Sequence, residues 1–495
     1  MPITSTIPLF RALVLALTLC AAPRLAAQSG GITAAEYGAR RDALAASIDS
    51  GVVVVFGARE PAHHYPRFAQ LPSFNYLTGY DEPDAALVIV KRGGAVTSTL
   101  FVTPVDAIGE IFNGRRATDA EIRGKTGLAS RPFPDLKTTL DALADKLPLY
   151  AVNDVYSPDF AAFDTLTYGK SFLKGLRVEH PSMRVASADQ ALRALRAKKS
   201  AAELTLVRKA VDISVAGHKA ALCAIKPSAG ENNVQAMMEY VFRNQGADGP
   251  GYASIVGSGP NGTTLHYDRD ERTMNAGEIV VMDVAAQYHG YSADVTRSAP
   301  VSGTFTSEQR AIYQVVRDAQ AAAERQAKIG AAGHLMADSA NASMAAGLAK
   351  LGLIESADAT FDPPWAERCA RVPATCTQRY LFMPHGLGHG IGLDVHDPAQ
   401  HSLAPDATIQ PGDAFTIEPG VYVRPNILEN LPDTPKNRAM IARLKSTIQR
   451  YMNIGVRIED DYVATASGVE WVSKAPREAS EIEASMKNCP ARVIP

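Results

Sequence analysis

The stretch at residues 381–397, LFMPHGLGHGIGLDVHD, sets the tightest limit on what this chain can fold into. Gly386, Gly388, Gly390 and Gly392 alternate there with His385, Leu387, His389 and Ile391. Each glycine costs a helix interior roughly 1 kcal/mol relative to alanine, so this alternation predicts an extended segment or a tight loop. A helix carrying an HExxH metal site is thereby excluded. In extended geometry His385 and His389 share a face, while the odd spacing to His396 demands a bend or the opposite face. Backbone this thin lets imidazoles converge on a ligand or a metal. Taken alone, an HxxxH pair in a glycine-rich loop is more often a pair of ordinary hydrogen-bonded histidines.

Carboxylates elsewhere in the chain change that balance. Asp283 ends the apolar run at residues 279–282, and Asp294 lies beyond a turn signal at His289-Gly290. A hairpin folded about Tyr288 and His289 places the two aspartates opposite each other with their side chains on one face. Two facing carboxylates repel unless a proton or a cation lies between them, and the further acidic residues favour a cation. Glu418, in TIEPG, ends a strand stopped by Pro419-Gly420. Glu459, in VRIEDD, shares the polar face of its strand with Arg457, while Val456 and Ile458 alternate with them. Singly, each reads as a solvated acid at a strand end. Together, Asp283, Asp294, His389, Glu418 and Glu459 supply four negative charges and one imidazole, which match two divalent cations. Oxygen-dominated ligation with one nitrogen favours Mn2+, Co2+, Fe2+ or Zn2+ over a thiolate-bound structural zinc. Such a pair suits hydrolysis, one cation generating the nucleophile and the other polarising a carbonyl.

A chain of 495 residues exceeds what one hydrophobic core usually supports, so two domains are expected. With 46% apolar and 21% charged residues, long disorder is not expected. A formal net charge of -2 gives no electrostatic reason for a nucleic-acid partner. Residues 30–185 read as a mixed α/β domain with β-branched runs at 52–57, 86–90 and 98–102; the pair His63-His64 reads as a surface loop. The boundary is placed near residues 183–188. Residues 190–480 read as an α+β domain of helices on antiparallel strands. Ser200 with Glu203 signals a capped helix start, and Thr306 with Gln309 another helix, expected to run to about Ile329. An excursion at 424–453 holds three prolines and an amphipathic helix with Met440, Ile441, Leu444, Ile448 and Tyr451 on one face, read as a packing or oligomer contact.

Residues 1–27 read as a secretory signal peptide: Arg11 precedes an apolar run at 12–22, and Leu25-Ala26-Ala27 offers a cleavage site. No later stretch reaches the roughly 18 apolar residues of a transmembrane helix, so a secreted or periplasmic protein is expected. Cys223, Cys369, Cys376 and Cys489 remain after the leader, and the short spacing of Cys369 and Cys376 suits a disulfide in an oxidising compartment.

The segments NGTTLHYDRDERTMNAGEIVVMDVAAQYHGYSADVTRS, HGLGHGIGLDVHD, TIEPGVYV and GVRIEDDYV closely resemble the pita-bread metallopeptidases, and within them the Xaa-Pro aminopeptidase (aminopeptidase P) and prolidase branch. FNYLTGYDEPDAALVI and ALRALRAKKSAAE resemble the N-terminal part of the same branch. The resemblance implies an α+β protein with a creatinase-type N-terminal domain and a pita-bread catalytic domain. It makes Asp283 a ligand to one metal, Asp294 and Glu459 bridges, and His389 and Glu418 ligands to the other, with Mn2+ the first choice. It also makes His266, His385 and His396 the histidines that position the scissile carbonyl and assist proton transfer. Arg457 becomes a site arginine and Glu418 a proton shuttle. The implied activity is hydrolysis of the N-terminal Xaa-Pro bond by a metal-bound hydroxide, on peptides with proline second, in a dimer or tetramer. Two alternatives stand beside it: a prolidase restricted to Xaa-Pro dipeptides, and a non-enzymatic peptide-binding module. Relatives of the last kind have lost metal ligands. The chain departs from the branch at Ser73, where some relatives carry an acid, and in the length of the 424–453 excursion.

Overall fold

The computed structural model describes residues 31–60, 68–152 and 167–489. The leader and the pair His63-His64 lie outside the described residues. Val52 to Val55 are four β-branched residues in a row, stiff at χ1 and suited to a pleated surface, and they form the buried centre of a sheet. Its strands are β1 (Gly51–Phe56), β2 (Ala86–Arg92), β3 (Ala95–Val102), β4 (Ala129–Pro132), β5 (Leu149–Ala151) and β6 (Val185–Ser187), in the order β4-β3-β2-β1-β5-β6. β1 pairs antiparallel with β2 and parallel with β5, so the sheet is mixed. Period-two alternation sends Val52 and Val54 into one apolar cluster and Val53 and Val55 into another. The second cluster also takes in Leu206, Val207 and Val211, which joins this sheet to the following helix without a break in the core.

That helix, Ala201–Ala224, starts at the expected capping box. Ser200 Oγ accepts from Glu203 N at 3.2 Å, and a Glu203 carboxylate oxygen accepts from Ser200 N at 2.9 Å. Beyond it lie four small antiparallel sheets. β7 (Gly249–Pro250), β10 (Ala286–Tyr288) and β11 (Tyr291–Ser292) form one, and β8 (Ile255–Ser258), β9 (Ile279–Asp283) and β12 (Thr296–Pro300) a second. β13 (Ala414–Ile417), β16 (Asp460–Thr465) and β17 (Gly468–Trp471) form a third, and β14 (Gly420–Tyr422) with β15 (Gly455–Arg457) the fourth. Helices Ser307–Glu324, His334–Lys350 and Pro435–Tyr451 share one large core with these strands, giving the α+β organisation.

One expectation needs correction, and one open alternative is decided in favour of packing. The helix begun by Thr306 and Gln309 ends at Glu324, short of Ile329, because the chain is drawn onto a neighbouring segment: Gly330 N donates to Ile409 O at 2.8 Å. On Pro435–Tyr451, Met440, Leu444, Ile448 and Tyr451 are buried in the chain's own core with Ile441 at its edge, so that face makes an internal packing contact.

Cys369 is bonded to Cys376, and a second disulfide joins Cys223, at the end of helix Ala201–Ala224, to Cys489, just after helix Ala479–Lys487. Replacing Cys223 and Cys489 together by alanine is expected to lower unfolding stability by about 2–5 kcal/mol in equilibrium denaturation. An unchanged denaturation midpoint would show that this link contributes nothing.

Candidate metal centre

The turn between β10 and β11 is made by His289 and Gly290, with φ of 49° and 81°, flanked by the pair Tyr288 and Tyr291. Two consecutive positive φ values are what a two-residue hairpin turn requires, and glycine takes the second without steric cost. The turn therefore lies one residue later than a hairpin centred on Tyr288 and His289, and the register moves by two. Asp283 stands opposite Thr296, with Asp294 displaced along the strand toward the turn. The aspartates are diagonal neighbours instead of an opposed pair. They still share a face, because a two-residue shift preserves the side-chain alternation.

The glycine-rich loop is held on the edge of β13. Thr416 N donates to His389 O at 2.8 Å, and Glu418 N donates to Leu387 O at 2.8 Å. The glycines serve close approach: a methyl group on Gly388 would run into Thr416 O, and one on Gly390 into Asp397 O. Asp397 N donates to Gly390 O at 2.7 Å, closing the bend that the histidine spacing demands. The His396 ring is thereby carried to 4.0 Å from the His389 ring, centre to centre. Glu418 follows β13 directly, and Glu459 sits between β15 and β16, where its N–H donates to Thr296 O at 3.1 Å.

These segments enclose a cavity of about 270 Å³, lined by His266, Asp283, Asp294, His385, His389, His396, Glu418, Arg457 and Glu459 together with Leu265, Gly386 and Gly388. All nine side chains singled out in the sequence meet there. Asp294, His389 and Glu459 each offer one ligand atom, and these atoms lie within 4.8 Å of one another. His389 Nε2 is 3.4 Å from Asp294 Oδ2 and 3.3 Å from Glu418 Oε1. One oxygen of Glu459 accepts from Thr296 Oγ1 at 2.6 Å, while its Oε1 is buried with no hydrogen-bond partner among the described residues. Asp283 pairs with Arg457, whose Nη1 donates to the Tyr422 hydroxyl at 2.8 Å; that hydroxyl lies 3.1 Å from His385 Nε2.

The charges do not balance within the protein. Burial, aided by the Asp283 charge, pushes the Asp294 carboxyl up to about 6. Burial and the neighbouring Asp294 and Glu418 charges raise Glu459 well above the usual carboxylate range. Burial works against charge on both His389 and Glu418, yet their contact, with Asp294 on the far side, holds the imidazole well above its ordinary value and Glu418 down to about 2. Four crowded carboxylates thus face one imidazole and one guanidinium, with a carboxylate oxygen left over on Glu459. Two divalent cations would supply the missing charge, and the oxygen-rich donor set fits them.

Tyr252 was not legible in the sequence. Its hydroxyl lies 2.6 Å from Asp283 Oδ1 and 2.7 Å from Asp294 Oδ1. Burial and those two charges raise its pKa well above that of a free tyrosine, so it stays protonated and can serve either oxygen. Tyr422 and Thr296 were missed as well. A hydroxyl in GPGYAS, in GVYV or beside Arg297 carries no charge or spacing signal that marks it.

A model described as metallopeptidase family M24 matches residues 205–466, and one described as aminopeptidase P, N-terminal domain, matches residues 37–150. The chain is similar to the Xaa-Pro aminopeptidase of Escherichia coli, at 30% identity over 470 residues, covering 92% of this chain and 98% of that one. Among solved structures it is similar to proline aminopeptidase P II from Yersinia pestis, with a TM-score of 0.75, 29% identity and 92% and 100% of the two chains covered. It is also similar to a Zn-substituted E. coli aminopeptidase P in complex with product, with a TM-score of 0.74, 28% identity and 92% and 98% coverage.

The value for Asp294 lies above the roughly 3.9 of an unfolded aspartate, so this group favours the metal-free fold at low pH. That contribution is lost as pH rises through about 6, where divalent cations take over the role of the proton. Adding Mn2+ to metal-free protein is expected to raise Tm more at about pH 8 than at about pH 5.5, with protons released on binding. Equal shifts at both pH values without proton release would contradict this electrostatic account.

Proposed function

The chain belongs to metallopeptidase family M24, and we propose that it acts as an Xaa-Pro aminopeptidase, releasing the N-terminal residue of peptides whose second residue is proline. A proline nitrogen has no N–H and fixes its own φ, so the bond before it calls for a dedicated pocket. The observation that carries the reading is the convergence of four carboxylates and four histidines on one cavity of about 270 Å³.

Asp283, Asp294, His389, Glu418 and Glu459 would hold two divalent cations, with Mn2+ the first candidate and Co2+, Zn2+ or Fe2+ the alternatives. When bound, such cations acidify a water and polarise the scissile carbonyl. Glu418 touches His389 and lies 3.8 Å from His385 Nδ1, so its carboxylate is placed to take a proton from the attacking water and return it to the departing proline nitrogen. His385 is held by Tyr422, and Tyr422 by Arg457, which fixes the imidazole at the cavity wall. Burial pushes the His385 pKa down, favouring a neutral ring whose single N–H sits on Nδ1, 2.8 Å from Gly386 O, while Nε2 faces the Tyr422 hydroxyl. His266 and His396 are solvent-exposed at the cavity's edge, where they can orient the peptide.

A secreted or periplasmic site of action is supported by the leader-like residues 1–27 and by the two disulfides. A homo-oligomer is supported by helix Ala107–Asn113, which has no buried residue and exposes Ile108, Ile111 and Phe112. Among the described residues, no helix is long and apolar enough to cross a membrane.

Hydrolysis of Xaa-Pro dipeptides, Xaa-Pro-Yaa tripeptides and longer peptides by metal-reconstituted protein tests the reading. Cleavage of the tripeptides and longer peptides is expected, with kcat/KM falling by about a hundredfold or more in Asp294→Ala. Turnover of dipeptides alone would make the enzyme a prolidase. No turnover with any divalent metal would overturn the enzymatic reading.

A further inference from the structure

The hairpin that carries Asp283 and Asp294 is not one continuous ladder. β9 ends at Asp283 and β12 begins at Thr296, while β10 and β11 take up the pairing at Gln287 and Ser292, with Ala293 N donating to Ala286 O at 3.1 Å. Inside this gap Val284 N donates to Val295 O at a long 3.3 Å, and the return bond from Val295 N to Val284 O is not among those formed by the described residues. Val284 O instead faces a side chain outside the hairpin, which Val295 O shares: His218 Nε2 lies 3.0 Å from Val284 O and 3.0 Å from Val295 O. The gap falls on the residues that directly follow the two aspartates.

His218 is fully buried on helix Ala201–Ala224. One turn earlier on the same helix, Ser214 Oγ accepts from Ala286 N at 2.8 Å, so the helix grips the hairpin on both sides of Ala285. Both partners of Nε2 are carbonyls, which only accept, so Nε2 carries the proton. Burial pushes the His218 pKa down to about 4, which leaves a neutral ring whose Nδ1 is buried without a partner among the described residues. A leucine of similar volume would fill the space without leaving that nitrogen unpaired, so packing alone does not account for the imidazole. The arrangement accounts for it: one N–H shared between two strands diverts Val284 O from the ladder and holds the strands apart.

We propose that His218 is a positioning residue that splays the hairpin beside Asp283 and Asp294 and thereby sets the spacing on which binding of the second divalent cation depends. The inference rests on the two-cation reading given under Proposed function. It concerns the geometry of the ligands and assigns His218 no contact with substrate or metal.

The test compares metal-free full-length wild type with His218→Gln, His218→Asn and His218→Leu. Glutamine can bring an N–H to the position of Nε2, asparagine is one methylene too short, and leucine has no donor. Mn2+ is titrated into each protein by calorimetry, the loaded proteins are examined by electron paramagnetic resonance, and the metal-free proteins by circular dichroism. Wild type and His218→Gln are expected to bind two Mn2+ and to show the spectrum of a spin-coupled pair. His218→Asn and His218→Leu are expected to keep the native dichroism and the first cation, but to bind the second at least about tenfold more weakly and to show an uncoupled spectrum. If the leucine variant does not fold, the comparison of glutamine with asparagine decides alone. Equal second-site affinity in all the variants that fold would overturn the proposal, as would a glutamine variant as weak as asparagine. Wild type binding fewer than two Mn2+ would overturn the two-cation reading itself.

Discussion

Four carboxylates brought together out of water repel one another, and the site is organised around that repulsion. Asp283, Asp294, Glu418 and Glu459 come from four separate segments at or beside strand ends, and Arg457, the basic residue nearest to Glu459 in sequence, pairs with Asp283. The protein supplies partial compensation: Arg457 to Asp283, His389 to Asp294 and Glu418, Tyr252 to both aspartates, Thr296 to Glu459. The remainder is left for cations, and the partnerless oxygen of Glu459 marks where the compensation stops. Charge matching by mobile ions ties the stability of the site to metal and to pH in the same way.

Local backbone choices in the second half of the chain follow from bringing these ends together. The His289-Gly290 turn fixes the hairpin register, and through it the face shared by Asp283 and Asp294. The glycines at 388 and 390 let the histidine loop lie against β13 and against its own return strand, closer than any side chain would permit. Beneath the site, Arg297 is fully buried and donates to Glu459 O at 2.7 Å while pairing with Asp460, so the strand end that carries Glu459 is anchored from below. Removing one member of such a buried pair leaves a stranded charge, which is why these supports tolerate substitution less well than surface ion pairs do.

Much of this was legible in the sequence because charge and glycine leave signatures. The alternation of glycine with histidine excluded a helix, and the strand-ending acids at 283, 418 and 459 stood at breaks that Pro419 or a change of hydropathy marked. The register of the hairpin was not legible: a turn centred one residue earlier satisfies the same pattern, and only the paired positive φ values decide. The hydroxyls of Tyr252, Tyr422 and Thr296 were invisible for a different reason. Their role comes from three-dimensional proximity to charge, and an uncharged side chain in a strand or a short loop reads as ordinary core. Strands of three or four residues, such as β5 and β6, also escaped, because so short a run carries too little periodicity.

Crystals grown with Mn2+ and measured at the manganese absorption edge test most directly the claim that the carboxylate cluster is a two-cation site. The account predicts two anomalous peaks in the cavity lined by Asp283, Asp294, His389, Glu418 and Glu459. A single peak, or none, would contradict it.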